Sequence, residues 1–236
     1  MQAIIISGGK GERLGALTDK SPKGMIKVNN KPILEYQIEW LKSHGVKRII
    51  FACGYLHEQI RDYFSGGKKF ALEIDYSVEA EPLGRGGALK KVWNMLYGNE
   101  TIIVTNGDIY TEMNLTKAID MHKKNNIQKG IKGTVCLFPY KSSYGVVKID
   151  KENLIESFEE KPLLPYWING GVYIFEHDIK NYLPDVGDHE TTAFPKLLKE
   201  KMLYGYACSS EFWQSIDTVK DINEFSKYVN EKLLVK

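Results

Sequence analysis

The sequence predicts an α/β protein built on a mostly parallel sheet, and two observations carry that expectation. Short apolar runs alternate with helix-periodic segments over the first 130 residues, the pattern of strands joined by crossover helices. A glycine-rich loop directly follows the first apolar run, at the strand end where ligands of such sheets collect.

The elements read in order as follows. Residues 2–6 form a buried strand, and residues 32–44 carry Pro32, Ile33, Leu34, Ile38 and Leu41 at helical spacing before Gly45 stops them. KRIIFAC (47–53) is a second strand and HEQIRDYF (57–64) a short amphipathic helix. ALEIDYS (71–77) alternates like a strand, residues 87–97 read as a helix, and TIIVT (101–105) is another buried strand. After about residue 130, GTVCLFPY, SYGVVKID, LIESFEEK and YWINGGVYIF read as added antiparallel strands. A helix is expected near Thr191, a short strand at 204–208 and a closing helix from Asp221 to Leu234. Without repeats or a linker, the chain reads as one continuous unit with two sub-regions.

Composition narrows the function classes. At 236 residues, 43% hydrophobic and 26% charged, the chain is an ordinary globular protein. A formal net charge of +2 is too small a field to argue for nucleic acid or an anionic membrane, so any anion site must be local. Cys53, Cys136 and Cys208 are dispersed and odd in number, which suits buried reduced thiols rather than a disulfide framework or a metal knuckle. No apolar run reaches bilayer length and no secretory leader is recognisable, so a cytoplasmic location is expected.

The loop Gly8-Gly9-Lys10-Gly11 brings main-chain N–H groups close to an anion because no Cβ obstructs the approach. It is not a P-loop, since the GK[ST] ending is missing. Nor is it the dinucleotide fingerprint, since counting from Gly9 puts Leu14 where the third glycine belongs. Instead Arg13 and Lys23 follow, and two cations beside bare backbone suit a triphosphate.

GGKGERLGALTDKSPKGM (8–25) resembles the signature of sugar-1-phosphate nucleotidyltransferases, the nucleotide-sugar pyrophosphorylases. Ala16 and Gly24 replace prolines usual in that family, changes expected to add local flexibility while leaving the charges untouched. The resemblance implies a Rossmann-like three-layer sandwich with an added strand-rich sugar-binding sub-region. It assigns residues 1–128 to the nucleotide and 129–236 to the sugar phosphate and closing helix. It further implies that Ser7, Gly8, Gly9 and Gly11 wrap the nucleotide, that Arg13 holds the outer phosphates and that Lys23 neutralises the reacting one.

Further segments match in the family's order. EAEPLGRGGAL (79–89) is similar to its E-P-L-G-T-G-G-A loop, with Arg85 in place of threonine, and implies base contacts from Glu81, Gly86 and Gly87. A carboxylate only accepts hydrogen bonds, and guanine offers two adjacent donors, so Glu81 leans toward guanine. IIVTNGDIYT (102–111) places Asp108 just past a buried strand, where an aspartate can hold Mg²⁺ together with substrate phosphates. EFWQSIDTVKD (211–221) resembles a segment of glucose-1-phosphate cytidylyltransferases and implies Asp217 as the second Mg²⁺ ligand. Alignment to other branches would put Ser215, a poor ligand, at that position. SFEEKP (157–162) implies Glu160 on sugar hydroxyls and Lys161 on the sugar phosphate. SSYGVVKID and INGGVYIF imply Gly145, Asn169 and Gly170 around the sugar ring.

The implied reaction joins a nucleoside triphosphate to a sugar 1-phosphate and releases pyrophosphate, a chemistry that rests on alignment and charge neutralisation. The compact length and EPLGRGGAL are closest to short heptose- or mannose-1-phosphate guanylyltransferases, and the resemblance also implies a homodimer. A cytidylyl- or uridylyltransferase remains open. So does a regulatory module that binds nucleotide-sugar without turnover. A glycosyltransferase is disfavoured because Tyr110 interrupts Asp-x-Asp.

Overall fold

In the computed structural model, which describes residues 1–234, β1 (Gln2–Ser7) lies inside the sheet because both of its faces are apolar. Ala3 and Ile5 bury against one helical layer and Ile4 against the other. The chain continues through β2 (Lys27–Val28), β3 (Lys31–Pro32), α1 (Ile33–Ser43), β4 (Arg48–Cys53), α2 (His57–Phe64) and β5 (Glu73–Val78). Then come α3 (Gly84–Trp93), β6 (Ile102–Asn106), β7 (Ile109–Thr111), α4 (Leu115–Lys129) and β8 (Gly133–Lys141). The remainder is β9 (Val146–Ile149), β10 (Ile155–Glu159), β11 (Leu163–Phe175), α5 (His189–Lys199), β12 (Leu203–Ala207), β13 (Trp213–Ser215) and α6 (Val219–Leu234).

Seven strands form the central sheet in the order β12-β8-β11-β6-β1-β4-β5. β4 and β6 flank β1 in parallel, β5 extends β4 in parallel, and β12 runs parallel to β8. β11 is antiparallel to both β6 and β8, which leaves six strands pointing one way and β11 the other. Helices α1, α2 and α4 cover one face through Leu34, Ile38, Phe64 and Leu115; α3 and α5 cover the other through Leu89, Trp93, Phe194 and Leu197. The three-layer sandwich is therefore as expected.

Three readings change. The later strands pair antiparallel as expected, but β8 and β11, with β12 beside β8, complete the central sheet, while β9 and β10 form a hairpin of their own. Helix α3 begins at Gly84, inside the glycine run, because Gly187 O accepts the N–H groups of Gly86 at 2.8 Å and Gly87 at 3.2 Å, capping a weak helix start. Helix α4 was not anticipated, although Asn114 caps it by accepting from Lys117 N at 3.0 Å and Gly130 closes it with φ 68°.

Candidate active site

Asp108 sits in the turn that leaves β6, and the turn is fixed from two sides. Gly107 N–H donates to Ile6 O at 2.7 Å, and a Cβ on Gly107 would come within 2.8 Å of that same oxygen. From α1, the buried Gln37 amide donates to Asn106 O at 2.7 Å and Ile109 O at 2.5 Å. The carboxylate is thus held at the C-terminal ends of β1 and β6.

Asp217 reaches the same point from the other end of the chain. β13 pairs antiparallel with β7, matching Ser215 to Ile109, and Ile216 N–H donates to Asp108 O at 2.8 Å. Asp221 Oδ2 then accepts from Asp217 N at 2.9 Å and Thr218 N at 2.8 Å, which caps the start of α6. Asp221 is thus an acid of the first turn of the closing helix.

Lys23 lies between the two carboxylates. Its Nζ is 2.7 Å from Asp108 Oδ2 and 2.6 Å from Asp217 Oδ1. Arg13 Nη2 donates to Asp217 Oδ1 at 2.7 Å, and Ser215 Oγ donates to Asp217 Oδ2 at 2.7 Å. Burial pushes the Asp217 carboxyl up, but Lys23, Ser215 and Arg13 together outweigh it and hold it below its ordinary range. The glycine loop rests directly on the lysine stem. Gly11 has φ 68°, and a Cβ there would meet Lys23 Cβ at 3.0 Å and Thr18 Cγ2 at 3.1 Å.

Gly24, expected to add flexibility, is instead pinned. It is buried, and a Cβ would meet Leu34 Cγ at 2.6 Å. Ala16 lies on the exposed 3-10 segment Glu12–Leu17.

The other predicted residues fall in two further places. Ser7 and Gly8 are half-buried at the end of β1 and Gly9 is open to solvent. Glu81 is exposed, whereas Glu79 lies beside Gly8, with its Oε1 3.6 Å from where a Cβ would be, and Glu79 Oε2 accepts Leu83 N–H at 3.0 Å. Gly86 and Gly87 are buried against the segment around Gly187, their N–H groups spent there. On the sugar side, a Cβ on Gly145 would stand 2.7 Å from Phe158 Cζ and 3.0 Å from Glu160 Oε2, and Lys161 pairs with Glu160 at 3.7 Å. Asn169 donates to Tyr173 OH at 2.9 Å and accepts from Gly171 N at 3.0 Å. Gly170 packs beneath Phe138, and its carbonyl accepts Trp213 Nε1–H at 2.7 Å. Among the described residues no ion pair joins Lys161 to the Lys23 cluster.

Sequence reasoning missed Glu79, whose carboxylate beside Gly8 no motif marked, and Asn106. Asn106 Oδ1 is buried without a partner next to Gly171, and Asn-Gly read only as a turn signal. Arg85 was noted only as a replacement for threonine. It joins Asp188 through Nη2 at 3.1 Å and Glu190 through Nη1 at 2.7 Å, and Glu190 Oε1 accepts Tyr173 OH at 3.1 Å. A chain of polar contacts thus runs from α3 to Asn169.

Asp108 and Asp217 have the donor chemistry for Mg²⁺: oxygen ligands only, and both already converging on one cation. Among the described residues no group of three or more His, Cys, Asp or Glu is placed to hold a metal alone, so an ion here would complete its shell with ligand oxygens or water. The cysteines take no part. Burial pushes the Cys53 thiol up to about 11 and Cys208 up to about 12, and Cys136 is raised too. His122 is a satisfied core residue, bonded to Thr134 Oγ1 at 2.8 Å and Glu176 Oε1 at 2.9 Å.

A glycine loop seated on a lysine that bridges two aspartates thus lies at the C-terminal ends of parallel strands, where α/β proteins bind their ligands. The chain belongs to the nucleotidyl transferase family, whose model matches residues 2–232. It is 38% identical over 215 residues to a D-glycero-α-D-manno-heptose 1-phosphate guanylyltransferase of Campylobacter jejuni, covering 88% of this chain and 90% of that protein. It is 34% identical over 239 residues to a UTP–glucose-1-phosphate uridylyltransferase of Synechocystis, covering 94% of this chain but 61% of that longer protein. Among solved structures, HddC from Yersinia pseudotuberculosis, complexed with GMP-PN, superposes with a TM-score of 0.75 at 26% identity, covering 97% of this chain and 99% of that one. Among the described residues no helix is long and apolar enough to cross a membrane.

Proposed function

We propose that this protein transfers a nucleotidyl group from a nucleoside triphosphate to a sugar 1-phosphate, forming a nucleotide-sugar and pyrophosphate. The observation that carries the reading is Lys23 Nζ held at 2.7 and 2.6 Å between Asp108 and Asp217, beneath the glycine loop, in a chain of this family. A sugar-phosphate oxygen attacks the α-phosphorus while the bond to the departing pyrophosphate breaks in line. The nucleophile is already an anion, so no general base is needed. The residues must instead align two anions that repel each other and spread the developing charge. Lys23 and Arg13 are the cations available for the triphosphate, and Lys161 on the β9–β10 side serves the sugar phosphate.

Mg²⁺ would be held by Asp108 and Asp217, and when bound it neutralises charge on the phosphates. GTP is the favoured nucleotide and a heptose or mannose 1-phosphate the favoured sugar, supported by the Campylobacter relative's name and by the lean of Glu81. A uridylyl reading is kept because the Synechocystis relative is similar over nearly the whole chain. The test is pyrophosphate release with Mg²⁺, offering GTP, CTP, UTP, dTTP and ATP against a panel of sugar 1-phosphates. Release with GTP and a heptose or mannose 1-phosphate supports the full proposal, whereas release confined to UTP moves the base assignment. Nucleotide binding without release from any pair replaces the enzyme with a regulatory module.

A further inference from the structure

Three donors already crowd the Asp217 carboxylate. Oδ1 accepts from both Lys23 Nζ at 2.6 Å and Arg13 Nη2 at 2.7 Å, and Oδ2 accepts from Ser215 Oγ at 2.7 Å. On Asp108, Oδ2 is taken by the same lysine at 2.7 Å. These are charge-assisted lengths, and the lysine stem is seated under Gly11 with the residue only 9% exposed. Mg²⁺ needs oxygen ligands at about 2.1 Å in near-octahedral array. An ion that used both carboxylates would lie within a few ångströms of that ammonium, and like charges that close repel strongly in a partly buried site.

We infer that Lys23 is a resident counter-cation of the metal locus: it occupies the space between Asp108 and Asp217 in the free protein and leaves it only when triphosphate oxygens offer it another anion. Metal therefore enters with the nucleotide and not before it. The inference rests on the reading of Asp108 and Asp217 as metal ligands. It also makes the coupling reciprocal, since whatever factor the nucleotide adds to metal affinity, the metal adds to nucleotide affinity. The lysine then has two partners in sequence, the carboxylate pair and afterwards the phosphates, and the exchange costs the site no unpaired buried charge at either stage.

The test uses Mn²⁺ alone as probe, followed by its electron paramagnetic resonance signal and by thermal unfolding. Four proteins are compared: wild type, Lys23→Met, Lys23→Arg, and Lys23→Met combined with Asp108→Asn. Without nucleotide, Lys23→Met should hold Mn²⁺ about tenfold or more tightly than wild type, because the blocking charge is gone. Lys23→Arg, which keeps a cation there, should remain weak, and the double variant should lose the gain. Should Lys23→Met fail to fold without metal, the wild type still decides: Mn²⁺ alone should leave its unfolding temperature nearly unmoved, while Mn²⁺ with GTP raises it. Equal Mn²⁺ affinity of wild type and Lys23→Met, lost in the double variant, overturns the inference and leaves the metal assignment standing. No Mn²⁺ on any of the four, even with GTP bound, overturns the metal assignment and the inference with it.

Discussion

The hydroxyl of Ser215 donates a 2.7 Å hydrogen bond to Asp217 Oδ2, so the serine orients the acid two residues further on. The local alignment could have placed the functional group at either position, and the geometry gives them unequal parts. Ser215→Ala should lower kcat by about tenfold, the usual effect of removing an orienting partner. Asp217→Asn should lower it by a factor of about a thousand, as for loss of a preorganised charge. Steady-state kinetics of both variants decides the matter, and the reverse ranking would transfer the ligand role to Ser215.

Lys23→Ala should reduce turnover at least about a hundredfold while the circular dichroism spectrum stays that of the wild type. The lysine opens the short 3-10 helix Lys23–Met25, whose backbone bonds do not use its side chain. A variant with near-normal turnover would remove Lys23 from the phosphate clamp.

Gly24 is fixed by lack of space. With Leu34 Cγ at 2.6 Å from a would-be Cβ, Gly24→Ala should cost roughly 1–3 kcal/mol by overpacking. Urea denaturation of Gly24→Ala, Leu34→Ala and the double variant gives the coupling directly. The double variant should be less destabilised than the sum of the singles, since shortening Leu34 makes room for the new methyl. Strict additivity would mean that strain at Gly24 arises elsewhere.

His189 is fully buried among Tyr173, Phe175 and Phe194, with neither ring nitrogen hydrogen-bonded. Burial, assisted by the nearby Arg85 charge, lowers its pKa from 6.5 to about 3. The sign follows from the protons bound. Between about pH 3 and 6.5 the unfolded chain binds a proton here that the folded one does not, so stability rises with pH across that window and the contribution is complete above it. The slope is about 1.4 kcal/mol per pH unit for one group. Unfolding free energies measured at pH 7 and pH 5 should differ by about 2 kcal/mol more in wild type than in His189→Gln. Parallel curves for the two proteins would exclude His189 as the source.

Much of this architecture was legible because it rests on local pattern. Apolar runs such as Ile4 to Ile6 and Ile102 to Val104 mark sheet-interior strands, and Gly45 stops α1 as its φ of 83° requires. Lys23, Asp108 and Asp217, each marked by a separate short motif, converge on one point beside the loop glycines. Pairing at a distance was less legible. Nothing in GTVCLFPY or YGYAC says that β8 and β12 run with the core strands, because a strand's direction is set by its partners. The same holds for Gly86 and Gly87, whose neighbour Gly187 lies about a hundred residues away in the sequence. Arg85 looked like a variant of a threonine until Asp188 and Glu190 folded against it.

The quartet of Arg13, Lys23, Asp108 and Asp217 carries two positive and two negative formal charges in direct contact. At a distance beyond the Debye length, about 10 Å at 0.1 M salt, an approaching triphosphate meets no net pull from these four groups. Encounter is therefore governed by diffusion and orientation, in the unsteered range of about 10⁵–10⁶ M⁻¹s⁻¹, and attraction begins only once the ion pairs open at contact. Stopped-flow association rates should change little with ionic strength, while dissociation, which must re-form those pairs, carries most of the salt dependence; a steep fall in the on-rate with salt would place the steering charge outside the quartet. On that expectation the quartet would discriminate among nucleotides after arrival, by what it can hold, and not by what it attracts.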